Sequence, residues 1–250
     1  PEKRRLVRGQ VLRFSARLLP VLLAEEARHA WRDDPRSAVP GNLPAEDMPR
    51  ATSTRYFTNS NDSYWLSNPD QPLEGYLPTI GPEKTARTLR TRAGLVFLNE
   101  YLETGDKLVA DDIQSLLLSH RHFGAELLLD DVLEVCADDE ELAPSCNALR
   151  DWDRTASVDS RGMQVWTEFW EIARRIENVY AVPFDLEDPV NTPRGIALDD
   201  PAVRAAVGAA LAAAQQRLLD AGIDLDQPWG DVQFAERNGS RIPVPGGPGR

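Results

Sequence analysis

The sequence lacks an apolar run long enough to cross a membrane, and no signal peptide is recognisable, although a mature or excised chain would lack one too. Basic residues are scarce, because 28 Lys and Arg stand against 40 Asp and Glu and give a formal net charge of −12. Proteins that bind a phosphate backbone need clustered Lys and Arg. We therefore expect neither a membrane nor a nucleic acid as a partner of this chain.

Histidines and the common catalytic motifs are also scarce. Of three histidines, only His120 and His122 lie near each other, and their spacing is not that of a helical metal-binding pair. Arg121 between them opposes a cation, so we predict a helix end or a polar contact there. The sequence has no G-x-S-x-G elbow, phosphate loop or zinc signature, and we predict no metal and no cofactor. A serine–histidine triad stays open, but nothing marks a particular serine.

Only two cysteines are present, Cys136 and Cys146, and they lie close together in the sequence. An even number at short separation fits a local disulfide in an oxidising compartment. The alternative is a pair of unrelated buried thiols in a cytosolic protein. Two thiols without nearby histidines are too few ligands for a zinc site.

Asparagine, aspartate and serine are concentrated in residues 58–69, which read T-N-S-N-D-S-Y-W-L-S-N-P and are called the asparagine loop below. These residue types bond their own backbone in turns, so the sequence predicts a tight, ordered loop. An asparagine side chain also carries an NH₂ that can face a developing negative charge, as in an oxyanion hole. The alternative is a surface turn that Asx bonds stabilise.

The periodicity of apolar residues predicts a mainly α fold with a few short strands. We predict helices at residues 84–103, 110–118, 124–136, 142–149, 162–178 and 201–221. The last is the clearest, because Asp200 can cap it, Pro201 suits its first position and Gly222 can end it. Asn238 and Gly239 form a strong hairpin signal.

Four regions follow from these elements. Residues 1–50 form a connector with short helices, of which we expect two short elements within residues 1–28. Residues 51–83 hold the asparagine loop, and residues 84–222 are helical. Residues 223–250 form a segment with a hairpin, whose strands we expect at residues 231–236 and 241–245.

The asparagine loop, followed by L-E-G-Y, resembles the corresponding loop of the penicillin acylase family, in its acyl-homoserine lactone and aculeacin acylase branch. The likeness keeps its order over roughly residues 28–250. Further elements that resemble the family are W-R-D-D-P at 31–35, A-L-R-D-W-D at 148–153, T-P-R-G-I-A-L at 192–198, W-G-D-V-Q at 229–233 and I-P-V-P-G-G-P-G at 242–249.

This resemblance implies an N-terminal nucleophile hydrolase with a four-layer αββα sandwich. In this family a serine at the start of the large subunit attacks an amide carbonyl, with its own α-amine as base. By motif position, Asn61 corresponds to the oxyanion-hole asparagine, and Asn59 and Asp62 would hold the loop. An arginine that orders the site corresponds first to Arg87 and second to Arg90. The two cysteines fall where relatives have a local disulfide.

One departure from the family concerns the nucleophile. Pro1 cannot act as one, and neither the serine-bearing segment nor the histidine that follows it is found in the chain. We therefore expect an interior piece of the large subunit that is inactive alone. It would work with the small subunit and the rest of the large subunit on an N-acylated small molecule. The acyl preference stays open, because the pocket residues lie outside this chain.

The resemblance and the cysteines together predict a periplasmic or secreted enzyme that cleaves acyl-homoserine lactones, penicillins or lipopeptides at their amide bond. The alternative is a non-catalytic helical interaction module in which the asparagine loop is structural.

Overall fold

We analysed a computed structural model of the chain, which describes residues 33–105, 107–137 and 139–247. The two short elements predicted within residues 1–28 lie outside these ranges. No helix in the part of the chain that is described is both long and apolar enough to span a membrane.

The described residues belong to two compact units, and residues 33–51 and 75–80 form the smaller one. Its only helical segment among the described residues is a 3₁₀ turn at Ala45–Asp47. The Arg36 guanidinium forms ion pairs with Asp34 and with Asp47 and so links the start of the described stretch to the 3₁₀ turn. The described part of this stretch consists mostly of turns and bends.

The larger unit contains residues 52–74 and 81–247, and it is mainly helical as predicted. Its α-helices are α1 (Leu89–Leu102), α2 (Ala110–Leu118), α3 (Phe123–Val135), α4 (Ala143–Asp151), α5 (Met163–Ala173), α6 (Pro201–Asp220) and α7 (Trp229–Val232). Two antiparallel pairs of short strands accompany them: β1 (Tyr180–Val182) with β2 (Arg194–Ile196), and β3 (Phe234–Arg237) with β4 (Ser240–Pro243).

The α5–α6 contact is the most extensive one between helices of this unit. Helix α6 begins as predicted, because the Asp200 carboxylate accepts a hydrogen bond from the Ala202 N–H at 2.8 Å. It ends before Gly222, whose φ of +70° suits glycine. Small and apolar residues form its buried face, which lets the two helices approach closely: Val203, Val207, Ala210, Leu211, Ala214 and Leu218.

Three aromatic residues of α5 are buried in this core: Trp166, Phe169 and Trp170. Trp166 stacks on Trp170 with ring centroids 6.0 Å apart, and Phe169 packs against both rings. Such aromatic pairs add about 0.5–1.5 kcal/mol each to the free energy of area burial. The core is therefore centred on α5, with α3, α4 and α6 around it.

Three predicted boundaries were wrong. Helix α1 begins at Leu89 and not at residue 84, because Lys84 has a φ of +54° and the Thr88 hydroxyl caps the helix. Helix α5 ends at Ala173 and not at residue 178. The backbone hydrogen bonds after Arg174 span three residues instead of four, and the chain then turns at Asn178 with a φ of +55°. Residues 231–232 belong to α7, so the first hairpin strand starts only at Phe234.

A disulfide joins Cys136, just after α3, to Cys146 in α4, as the sequence predicted. The Cα atoms lie 5.8 Å apart, within the ordinary range for a disulfide. Closing so short a loop stabilises the fold by less than about 3 kcal/mol in the chain-entropy model.

Candidate functional site

The asparagine loop is a compact turn with a buried anchor. The Thr58 N–H donates to the Ser67 carbonyl at 2.8 Å and closes the loop. A 3₁₀ turn at Tyr64–Leu66 follows Ser63, whose hydroxyl accepts from the Trp65 N–H. Trp65 and Leu66 are buried and anchor the loop. Asn59 and Asn61 are exposed, whereas Asn68 is buried.

Asn61 occupies the exposed tip of this loop. Its φ of +53° lies in the left-handed region, which asparagine tolerates better than most residues. Its N–H donates to the Asn59 side-chain oxygen at 2.8 Å, so an Asx turn fixes the backbone. Within the described ranges, its side-chain amide makes no hydrogen bond and is therefore available to donate to another group.

Asp62 ties the next position of the loop to helix α1. Its carboxylate accepts from the Thr91 hydroxyl at 2.6 Å, from the Ser63 N–H at 2.7 Å and from the Arg87 guanidinium at 3.0 Å. Partial burial alone would raise the pKa of Asp62, but these three donors hold it below the ordinary value. Asp62 is therefore charged at neutral pH and fixed on both oxygens.

Arg87 and Arg90, the two arginines predicted from the family, contact neighbouring parts of the loop. The Arg87 side chain is only 2% exposed, pairs with Asp62 and lies 5.6 Å from the centre of the Trp65 ring. Arg90 is exposed, and its guanidinium donates to the Ser60 carbonyl. Arg87 thus holds the loop from inside, and Arg90 holds it at the surface.

Sequence reasoning missed Thr91 and Arg92, which follow Arg90 in the first turn of α1. Thr91 is bonded to Asp62, and Arg92 is buried at 1% exposure. The signal for Thr91 was present: Thr88 and Thr91 stand three apart at a helix start, where one side chain can cap and the other can face inward. Nothing in the sequence pattern marks Arg92 as buried.

A groove of about 430 Å³ lies beside this part of α1. Arg90 lines it and also bonds to Ser60, so the groove adjoins the asparagine loop. Its walls are mostly apolar or glycine: Leu89, Ala93, Leu117, Phe123, Gly124, Ala156, Gly246 and Gly247, with His120, Arg121 and His122 as the other polar residues. Arg90 is thus shared between a mostly apolar groove and the asparagine loop, although no loop residue lines the groove.

His122 forms the helix end that the sequence predicted. Its Nδ1 accepts from the Ala125 N–H at 3.2 Å and caps α3, while its ring packs against Trp152 and Trp166. Burial lowers the pKa of His122 from 6.5 to about 4, although the nearby charge of Glu126 acts in the opposite direction. The imidazole is therefore neutral at physiological pH.

This burial predicts a loss of stability in mild acid. In the unfolded chain His122 is protonated near its ordinary pKa of 6.5, whereas in the folded chain its pKa is about 4. The contribution of neutral His122 to the free energy of unfolding is thus fully present above pH 6.5 and is lost as the pH drops toward 4. The expected loss is about 2 kcal/mol between pH 7 and pH 5. Urea unfolding at several pH values measures this slope.

The control for this prediction is His122→Asn, which keeps a capping side chain but cannot titrate. It lowers stability at all pH values, because the ring contacts are lost, but its pH slope is flatter than that of the wild type. Equal slopes for the two proteins would contradict the assignment to His122.

No cluster of three or more potential metal ligands occurs in the described part of the chain. The hydrogen bonds described above provide a neutral donor on a fixed loop, with a charged network behind it.

Comparison with known proteins adds an independent finding. The family model "Penicillin amidase" matches residues 6–250. The chain is 33% identical over 234 residues to the acyl-homoserine lactone acylase PvdQ of Pseudomonas fluorescens, covering 91% of the chain and 30% of that protein. It is 33% identical over 250 residues to PvdQ of Pseudomonas syringae pv. syringae, covering 98% and 32%. It is 34% identical over 232 residues to the aculeacin-A acylase of Actinoplanes utahensis, covering 86% and 28%. The chain thus spans less than a third of the length of these relatives.

Proposed function

Because this chain belongs to the penicillin amidase family, we propose that it forms part of an amidohydrolase that cleaves the amide bond of N-acylated substrates. Acyl-homoserine lactones, penicillins and acylated lipopeptides are the substrate classes. In this proposal Asn61 is the oxyanion donor, Asn59 and Asp62 hold its loop, and Arg87 orders the site.

The observation that carries the proposal is the free side-chain amide of Asn61 on a loop whose neighbouring positions are held by hydrogen bonds. Oxyanion stabilisation needs a donor that is aimed before the reaction begins, because reorientation during the reaction would cost free energy. The Asx turn to Asn59 and the bonds of Asp62 supply this rigidity. An uncharged donor also suits the site, since it does not retain a carboxylate product by charge attraction.

The proposed reaction is acyl transfer to a serine from another part of the full-length enzyme. The serine hydroxyl attacks the amide carbonyl, and its own α-amine, with a pKa near neutrality, accepts the proton. The Asn61 amide donates to the oxygen that becomes negative in the tetrahedral intermediate. Collapse releases the amine, and water then releases the acid from the acyl-enzyme.

The remaining parts of the acylase, namely the small subunit and the rest of the large subunit, are the proposed partners. With them the chain would complete an αββα sandwich, in which its helices form a wall beside the acyl pocket. The Cys136–Cys146 disulfide supports a periplasmic or secreted location, because structural disulfides persist in oxidising compartments.

We predict that the 250-residue chain alone hydrolyses none of the three substrate classes, whereas the processed full-length acylase that contains it hydrolyses at least one. The physical reason is that the oxyanion donor gives no reaction without the nucleophile. The measurement is release of the free amine from a lauroyl-homoserine lactone, a penicillin and a lipopeptide.

Two outcomes would contradict this proposal. Turnover by the chain alone, abolished by changing one of its own serines, would move the nucleophile into the chain. A correctly processed full-length protein with no turnover on any of the three classes would favour the helical interaction module.

A further inference from the structure

Arg92 carries a buried charge for which the proposed reaction has no use. Its Nε donates to the Val190 carbonyl at 2.7 Å, and its Nη1 donates to the Pro193 carbonyl at 2.8 Å. Its Nη2 is buried and has no hydrogen-bond partner among the described residues. None of the described carboxylates forms an ion pair with it, and burial lowers the pKa of the guanidinium. Burying a charge without an ionic partner costs free energy. The presence of an arginine at this position therefore calls for an explanation.

The segment that Arg92 holds, residues 184–193, has few other bonds to the rest of the larger unit. Its own order comes from Thr192, which is buried and whose hydroxyl donates to the Asp188 carbonyl at 2.6 Å. The same hydroxyl accepts from the Asp185 N–H at 2.8 Å. These bonds shape the segment but do not attach it to its neighbours. The two hydrogen bonds from Arg92 attach it to helix α1.

This segment packs against the inner side of the asparagine loop. Phe184 and Val190 contact the small apolar cluster of Trp65, Leu66 and Leu95. The Phe184 ring meets the Trp65 ring edge-on, with centroids 6.5 Å apart. Arg92 therefore bonds to the backbone of Val190, while the side chain of Val190 packs against the anchor of the loop that carries Asn61.

We propose that Arg92 is a positioning residue for the oxyanion donor: it holds residues 184–193 against Trp65 and thereby fixes the asparagine loop. The inference rests on the proposed function, since it assigns Asn61 the donor role. Arginine suits this task because its planar guanidinium presents two donors in fixed directions to two carbonyls, which lysine cannot do. Asp62, Arg87 and Arg92 then fix the loop on different sides.

The test uses Arg92→Met and Arg92→Lys in the processed full-length acylase. Arg92→Met keeps most of the apolar volume but leaves both carbonyls without their donor. We expect kcat to fall about ten- to a hundredfold with KM within about twofold, because a small displacement of a catalytic group has effects of this size. Arg92→Lys regains one carbonyl and gives an intermediate kcat. If Arg92→Met fails to fold, the test rests on Arg92→Lys: a reduced kcat supports the inference, and a wild-type kcat contradicts it.

The matched control is Gln164→Leu in α5. Gln164 is also buried, and its Nε2 donates to the carbonyls of Asp224, Leu225 and Gln227 at 2.9–3.0 Å. Like Arg92 it has one buried polar atom without a partner among the described residues. The substitution lowers Tm through a similar loss of side-chain-to-backbone bonds, but we expect kcat to change by less than about twofold.

A second readout separates this inference from the proposed function. Hydrogen exchange measures the order of residues 56–74 directly, through the amides of Thr58 and Leu73, which donate to Ser67 and Trp65. We expect Arg92→Met to speed exchange in this segment, whereas Gln164→Leu leaves it unchanged.

Equal exchange and equal kcat in Arg92→Met and Gln164→Leu would overturn the inference and leave Arg92 a merely stabilising residue. If the wild type has no acylase activity, the proposed function fails. The exchange result then still decides whether Arg92 orders the loop.

Discussion

Replacing Asn61 with alanine is expected to lower kcat of the processed full-length acylase by roughly 10²- to 10³-fold, with KM little changed. The tetrahedral intermediate loses one donor, whereas the ground-state contacts of the substrate stay nearly the same. The loss corresponds to about 2.7–4 kcal/mol of transition-state stabilisation. Steady-state kinetics on protein whose self-processing has been verified by mass provides the measurement.

Asn61→Gly is the sharper companion variant. The φ of +53° at this position strains alanine but not glycine, so Asn61→Ala mixes loss of the donor with backbone strain. Glycine removes the amide and keeps the backbone, and we expect the same loss of kcat with a smaller change in Tm. Asn59→Ala acts through loop order instead and lowers Tm along with kcat. Near-normal kcat in processed Asn61→Gly would contradict the donor role and favour the alternative that the loop is only a structural turn.

Replacing Asp62 with alanine is expected to cost about 3–5 kcal/mol of unfolding free energy and to lower kcat as well. The Arg87 guanidinium, at 2% exposure, would remain buried without its ionic partner, and that is the costly way to break an ion pair. The Thr91 hydroxyl would lose its acceptor at the same time. Urea unfolding gives the stability, and the kinetic assay gives the effect on the neighbouring Asn61.

Two comparisons test the cause of this loss. Asp70→Ala removes an exposed partner of Arg55, since these side chains are 60% and 58% exposed, and should change stability by less than about 1 kcal/mol. The double variant Asp62→Ala with Arg87→Met should be more stable than the sum of the single changes predicts, because no buried charge is left unpaired. Additive effects would mean that the pair does not act as a unit.

Local signals in the sequence were sufficient for several parts of this fold. Helix α6 could be predicted to within a residue, because Asp200, Pro201 and Gly222 act on the backbone directly next to them. The asparagine loop could be predicted as an ordered turn for the same reason. The mainly helical fold follows from apolar periodicity, which is a property of each segment by itself.

Other parts depend on contacts between distant segments, and these were missed. Strands β1 and β2 have three residues each, too few for an alternating pattern, and the Asp131 carboxylate in α3 accepts the Ile196 N–H at 2.7 Å. From the sequence pattern Arg92 would be placed on the surface of a helix. In the fold it is buried and bonds to the carbonyls of Val190 and Pro193, which lie far away in the sequence. The roles proposed for Asn61 and Arg87 rest on family resemblance, because composition alone was compatible with a surface turn.

The first turn of α1 has a consequence for how this chain can be altered. Arg90, Thr91 and Arg92 contact three different partners, and successive side chains on an α-helix point about 100° apart. Leu95, one turn later, is fixed in the apolar cluster with Trp65. Adding or deleting one residue between Arg92 and Leu95 would rotate all three side chains away from their partners at once. Substitutions on the exposed face of this turn do not change the directions of these three side chains. A library of variants here should therefore vary amino-acid identity and keep the number of residues fixed.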